Sequence, residues 1–208
     1  MQCARKRVKR GVEAVIAGLF PLAAFVFFKT RKERWDLMRK SGIVAIDLET
    51  TGFSPFRGDR VIEVGAVVVE SGVIAKEFHT LVRVPRTIPR QAWRVHGITD
   101  RMLDGQPLPE KVYPAFRDFI ADRTLVAHNA QFDLAFLAHE LARLGMALPN
   151  RSVCTLRLAR RRLPGLPDHR LETVYRHLFG GFPRGIRQHR ALDDAQLTAM
   201  VWLALGGG

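Results

Sequence analysis

Cysteine is nearly missing from this chain: Cys3 and Cys154 are the two in 208 residues. They stand far apart and fall in no metal-ligand spacing, so a disulfide framework is excluded and free thiols in a reducing cytoplasm are the plain reading. Acids are scarce beside bases, with 20 Asp and Glu against 33 Lys and Arg and a net charge of +13. That imbalance points to a polyanionic partner, either nucleic acid or an anionic membrane surface. Repeats and low-complexity linkers are absent. With 47% hydrophobic and 25% charged residues, disorder is not the default, and the length suits one globular domain with a little left over.

A long apolar run is missing too. The uncharged stretch AVIAGLFPLAAFVFF (14–28) lies between ARKRVKRG and KTRKERW. As a helix it would reach only ~22 Å, short of a ~30 Å hydrocarbon core. Pro21 interrupts it, and no small-x-small cleavage site follows. Three readings stay open: a short membrane anchor, a hydrophobic helix packed on the domain or on a partner, and an uncleaved signal-like start. Basic residues on both flanks give no orientation. Residues 1–40 are read as an appendage and 41–208 as the folded domain. The expected location is cytoplasmic, with contact to the inner face of the membrane if 14–28 inserts.

From Gly42 the pattern is regular. GIVAIDLE reads as a buried strand, ended by the turn formers of TTGFSPFRGD. VIEVGAVVVE and VIAKEFHTLVRV, joined by the tight turn SG, complete an antiparallel meander. After a Pro-punctuated stretch of loop and short helices, PEKVYPAFRDFIA places Val112, Phe116 and Phe119 at helical spacing. TLVAH reads as a short buried strand and QFDLAFLAHELARLG as a helix closed by Gly145. SVCTLRLARRRL reads as a strand-to-helix unit, and PDHRLETVYRHLFGG as a helix with Asp168 at its N-cap. RALDDAQLTAMVWLAL is the last helix. Three antiparallel strands followed by alternating strands and helices predict an α/β domain, a mixed sheet flanked by helices.

The chemistry gathers at three places. In AIDLETTG (45–52), Asp47 and Glu49 sit two apart at a strand end, so both point to one side and repel. VAHNAQFDLAFL puts Asp133 at the start of a helix just beyond a strand, and QHRALDDA puts His189 five residues before Asp194. Taken singly, each has a structural reading: strand-end acids, a helix N-terminus favoured by its dipole, solvated helix surface, a loop histidine. Taken together, four carboxylates can share a site only if cations pair them, and hard divalent ions with oxygen ligands suit that role.

DLETTG, VIEVGAV, VHGIT, LVAHNAQFD and HRALDDA, in this order over residues 42–205, resemble the motif set of the DEDDh 3′–5′ exonucleases. The branch they resemble most is the epsilon proofreading type of bacterial DNA polymerase III. The resemblance implies a ribonuclease-H-like fold and two divalent ions, Mg²⁺ or Mn²⁺. It makes Asp47, Glu49 and Asp194 direct metal ligands, with Asp47 bridging, and Asp133 a ligand acting largely through water. His189 takes the place of the general base that removes a proton from the attacking water. Thr50, Thr51, Gly52, Phe53, His96 and Asn129 match positions that hold the 3′-terminal nucleotide, Phe53 as an apolar wedge against the base. His128 matches a supporting position, and Glu63 is open between a supporting role and a strand-face role. The RLARRRLPG run is open between the nucleic-acid path and solvated surface.

The expected activity is thus a metal-dependent 3′–5′ exonuclease on single-stranded or frayed DNA ends, releasing nucleoside 5′-monophosphates in repair or proofreading. Two alternatives stand beside it: an exoribonuclease like ribonuclease T or oligoribonuclease, and a non-catalytic accessory subunit binding DNA ends or a polymerase. The chain ends at LALGGG directly after the last helix. Without a C-terminal extension, a stand-alone or membrane-linked nuclease is expected over a dedicated polymerase subunit.

Overall fold

The computed structural model describes residues 42–206; the expected appendage 1–40, with its apolar run 14–28 and Trp35, lies outside the described residues. Among the described residues no helix is long and apolar enough to cross a membrane. Five strands form one sheet: β1 (Ile43–Thr50), β2 (Val61–Glu70), β3 (Val73–Leu81), β4 (Thr124–Ala127) and β5 (Ser152–Cys154), in the order β3-β2-β1-β4-β5. The first three run antiparallel, while β4 pairs parallel with β1 and β5 parallel with β4. The turn between β2 and β3 falls on Ser71 and Gly72, with φ of 53° and 85°. Two left-handed residues in a two-residue connection match the right-handed strand twist. A short 3₁₀ turn (Pro55–Arg57) interrupts the loop from β1 to β2.

Among the described residues seven helices surround the sheet: α1 (Arg90–His96), α2 (Asp100–Leu103), α3 (Pro109–Ile120), α4 (Ala130–Ala142), α5 (Thr155–Arg162), α6 (Leu171–Phe179) and α7 (Ala191–Gly206). Side chains alternate along β1 and divide the core in two. Val44, Ile46 and Leu48 pack with Phe116 of α3 and with Phe136 and Leu137 of α4. Ile43 and Ala45 face the other way, with Val67 and with Ala199 and Trp202 of α7. The row that faces α7 continues, by the period of two, to Asp47 and Glu49. The strand thus turns from oil to acid along one face.

Two local readings need correction. Asp168 is not the N-cap of α6; Arg170 holds that position, and the Asp168 carboxylate accepts the Arg170 N–H from two residues upstream (3.0 Å). The helical spacing of Val112, Phe116 and Phe119 holds in α3, where Val112 and Phe116 are buried and Phe119 leans on Phe78 at 5.4 Å between ring centres. The third strand is shorter than expected, closing at Leu81.

One ion pair ties the β1–β2 loop to α4. Arg60 donates to both oxygens of buried Glu140 at 2.7 and 2.8 Å, and the Val61 N–H adds a third contact at 3.3 Å. Removing one partner leaves an uncompensated buried charge, which costs far more than a surface pair would. Glu140→Ala is expected to lower stability by about 3–5 kcal/mol in urea unfolding; a loss under about 1 kcal/mol would mark the pair as solvated.

Candidate active site

Asp47 and Glu49 end β1 beside the first turn of α7, which carries Asp194. The close approach has a specific cause in β2. Gly65 sits opposite Asp47 in the sheet, and a Cβ there would lie 2.1 Å from the Ala191 carbonyl carbon and 2.2 Å from the Leu192 nitrogen. Only glycine lets the helix backbone touch the strand at this point. Asp133 enters from α4, one turn past Asn129, whose φ of 71° makes the sharp exit from β4. Three separate elements therefore bring four carboxylates to one end of the sheet.

His189 completes the group. It is exposed, with φ of 58°, and its backbone N–H donates to Asp194 Oδ2 at 2.9 Å. Glu49, His189 and Asp194 each offer a ligand atom within 4.8 Å of the others. The carboxylates pay for their enclosure in proton affinity. Burial first, then Asp133, Glu49 and Asp194, push Asp47 well above the ordinary carboxylate range. Burial followed by Asp194 raises Glu49 to about 8. Burial raises Asp133 to about 7 against the pull of its own and the Leu48 backbone N–H groups, and it raises Asp194 to about 6 against the His189 N–H.

Such acids bind protons more tightly folded than unfolded, so stability is present at low pH and is lost as pH rises through their folded values. With chelator present, the melting temperature is therefore expected to fall from pH 5 to pH 8 by about 5 °C or more. A flat or rising profile would show that the four acids do not share a site. A group of hard oxygen donors with this deficit of positive charge fits divalent cations such as Mg²⁺ or Mn²⁺.

A cavity of about 360 Å³ opens next to Glu49 and is lined by Thr50, Thr51, Gly52, Phe53, Val95 and His96, among others. Five of the six expected substrate positions are here. The sixth, Asn129, is exposed at the head of α4 and does not line the cavity. Hydrogen bonds tie the loop floor together: Thr51 exchanges contacts with Arg60, and Ser54 N–H donates to Asp59 Oδ2 at 3.0 Å. Asp59 packs so close to Gly52 that a Cβ there would meet its carboxylate at 2.4 Å. Phe53 stands 84% exposed above this floor. His96 is buried, its Nδ1 accepting the Ile98 N–H at 3.0 Å, and burial lowers its proton affinity.

His128, whose proton affinity is lowered by burial, bridges Thr155 Oγ1 (2.9 Å) and the His169 carbonyl (2.8 Å) behind the cavity. Sequence reasoning left Glu63 open, and no sequence pattern tied it to His79. The structure joins them, with His79 Nε2 2.7 Å from Glu63 Oε1. Their partner Arg190 lies 127 residues from Glu63 in sequence, beyond any local signal.

Acids from three elements, an imidazole at their rim and an adjoining groove form a candidate site at the end of an α/β sheet, with the chemistry of a phosphodiester hydrolase. The exonuclease family model, of the RNase T type, matches residues 44–202. The epsilon subunit of DNA polymerase III from Aquifex aeolicus is 39% identical over 178 residues, covering 85% of this chain and 86% of its own. A PolC-type DNA polymerase III from Clostridium perfringens is 40% identical over 161 residues, 76% of this chain but 11% of that much longer one. Among solved structures, exonuclease X in complex with 5′ overhanging duplex DNA aligns with a TM-score of 0.64 and 32% identity, over 78% of this chain and 90% of that one. The chain belongs to this exonuclease family: it is a 3′–5′ exonuclease with the ribonuclease-H-like fold.

Proposed function

We propose that the enzyme acts on single-stranded or frayed DNA 3′ ends and releases nucleoside 5′-monophosphates. The observation that carries this reading is the convergence of Glu49, His189 and Asp194 within 4.8 Å beside half-buried Asp47 and buried Asp133. Asp47, Glu49, Asp133 and Asp194 would hold two divalent ions, which when bound supply positive charge to the attacking and leaving oxygens together. His189 takes a proton from the attacking water. Its exposed ring is open to solvent on one side and faces two carboxylates on the other, so a proton accepted there has a route out. Thr50, Thr51, Gly52 and His96 line the seat of the terminal nucleotide, and Phe53 stacks on its base without regard to sequence.

The net charge of +13 supports a polyanionic substrate, and a replication- or repair-type nuclease implies a cytoplasmic location. From the polymerase III relatives this reading takes the exonuclease chemistry alone. Residues 41–208 are the exonuclease domain in this reading, with 1–40 an appendage.

End-labelled single-stranded DNA and RNA, incubated with Mg²⁺ or Mn²⁺, test the assignment. Stepwise loss from the 3′ end is expected, faster on DNA, with His189→Ala slower by about a hundredfold or more. Faster RNA degradation would overturn the substrate assignment, and an undiminished His189→Ala rate would overturn the base.

A further inference from the structure

Glu63 is fully buried directly across the sheet from Glu49, yet the catalytic reading gives it no task. Both its oxygens are already engaged. Oε1 accepts from His79 Nε2 (2.7 Å) and Arg190 Nη2 (2.6 Å); Oε2 accepts from Arg190 Nε (3.2 Å) and the Ala191 N–H (3.1 Å). Burial alone would make it harder to ionise, but these donors overcome that and hold it near about 2. Four donors fix one carboxylate, and the carboxylate in turn fixes what donates to it.

What it fixes is the joint between His189 and α7. A non-glycine residue enters the left-handed region only when its surroundings impose it, and His189 is there at φ 58°. Two restraints act on the joint. From the helix, Asp194 accepts the His189 N–H; from the sheet, Glu63 grips the side chain of Arg190 and the backbone of Ala191. Glu63 is placed for this by register: it lies directly across from Glu49, two residues from Gly65, where α7 touches β2. The arginine also offsets the charge of a fifth carboxylate beside the other four, and it counts among the groups that ease ionisation of Glu49.

We propose that Glu63 and Arg190 are positioning residues that lock His189 in its left-handed turn, so that its imidazole faces the reacting water, with His79 as the outer brace of the same lock. This rests on His189 being the general base.

Arg190→Gln and Arg190→Lys, each alone and combined with His189→Ala, test it in the full chain with Mn²⁺ and single-stranded DNA. Arg190→Gln is expected to lower kcat about ten- to a hundredfold and to leave KM within about twofold. Arg190→Lys keeps the charge but loses the two-pronged contact, so it recovers part of the loss. On top of His189→Ala, Arg190→Gln should cost less than about twofold, since the group it positions is gone. The imidazole resonances of His189 in the metal-free protein should also shift in Arg190→Gln.

An unchanged kcat, unmoved His189 resonances, or a full further drop in the double variant each overturn the proposal. A fully active His189→Ala alone would instead overturn the general base, which separates the two failures. Should Arg190→Gln fail to fold, Arg190→Lys and His79→Gln carry the same comparisons, with smaller losses of the same kind expected.

Discussion

Asp47→Asn is expected to cut strand cleavage about a thousandfold or more while raising the melting temperature of the metal-free protein at pH 8. Both halves follow from one side chain. Asp47 stands at the centre of the group, pushed upward by burial and by Asp133, Glu49 and Asp194 together. Its ionised form is a burden on the fold above neutral pH, and an amide of the same shape removes that burden. The same amide brings no negative charge to a divalent ion. Charge stabilisation of that kind is worth several kcal/mol in the transition state, so a rate lower by about a thousandfold or more is expected. Steady-state rates on single-stranded DNA and thermal melts in chelator measure the two effects. A variant that is inactive and also less stable would mean that Asp47 supports the fold and is not one of a set of mutually repelling ligands.

Gly65→Ala is the second large effect, and it acts through the helix backbone and leaves every proposed ligand side chain in the chain. The new methyl group would meet backbone atoms of Ala191 and Leu192 at 2.1–2.2 Å. No side chain can swing aside to make room, so α7 must move. Overpacking of a tight contact costs about 1–3 kcal/mol. Because Asp194 and His189 travel with the helix, a displacement of ~1 Å is expected to cut the rate about a hundredfold. Gly181→Ala is the matched control: a Cβ there meets nothing within 4 Å, and stability should stay within about 0.5 kcal/mol. A Gly65→Ala protein with parental kcat would show that the helix start does not set the site.

Much of this was legible in the chain itself. The apolar run of β1 announced the buried strand, and the period of two, a local property, announced the shared side of Asp47 and Glu49. The order of strands and helices followed from turn residues and apolar spacing in the same way. What stayed hidden depends on tertiary pairing. The Glu63–Arg190 contact spans 127 residues and the Arg60–Glu140 contact spans 80, and no local pattern marks either. Gly65 looked like a small residue in a strand until a helix backbone was found against it. Asp168 misled for a related reason: short acids hydrogen-bond the chain two residues on, and the cap position they imitate can be displaced. Asn129 is the right residue type on the right turn, but its left-handed backbone serves the exit from β4 and leaves its side chain outside the cavity.

Asp47 and Asp194 stand far apart in sequence and meet only because α7 docks on β1 and β2. A chain whose sheet has formed but whose α7 is still undocked has no Asp194 beside Asp47. On the proposed reading, destructive capacity toward nucleic acid is therefore tied to the completed fold.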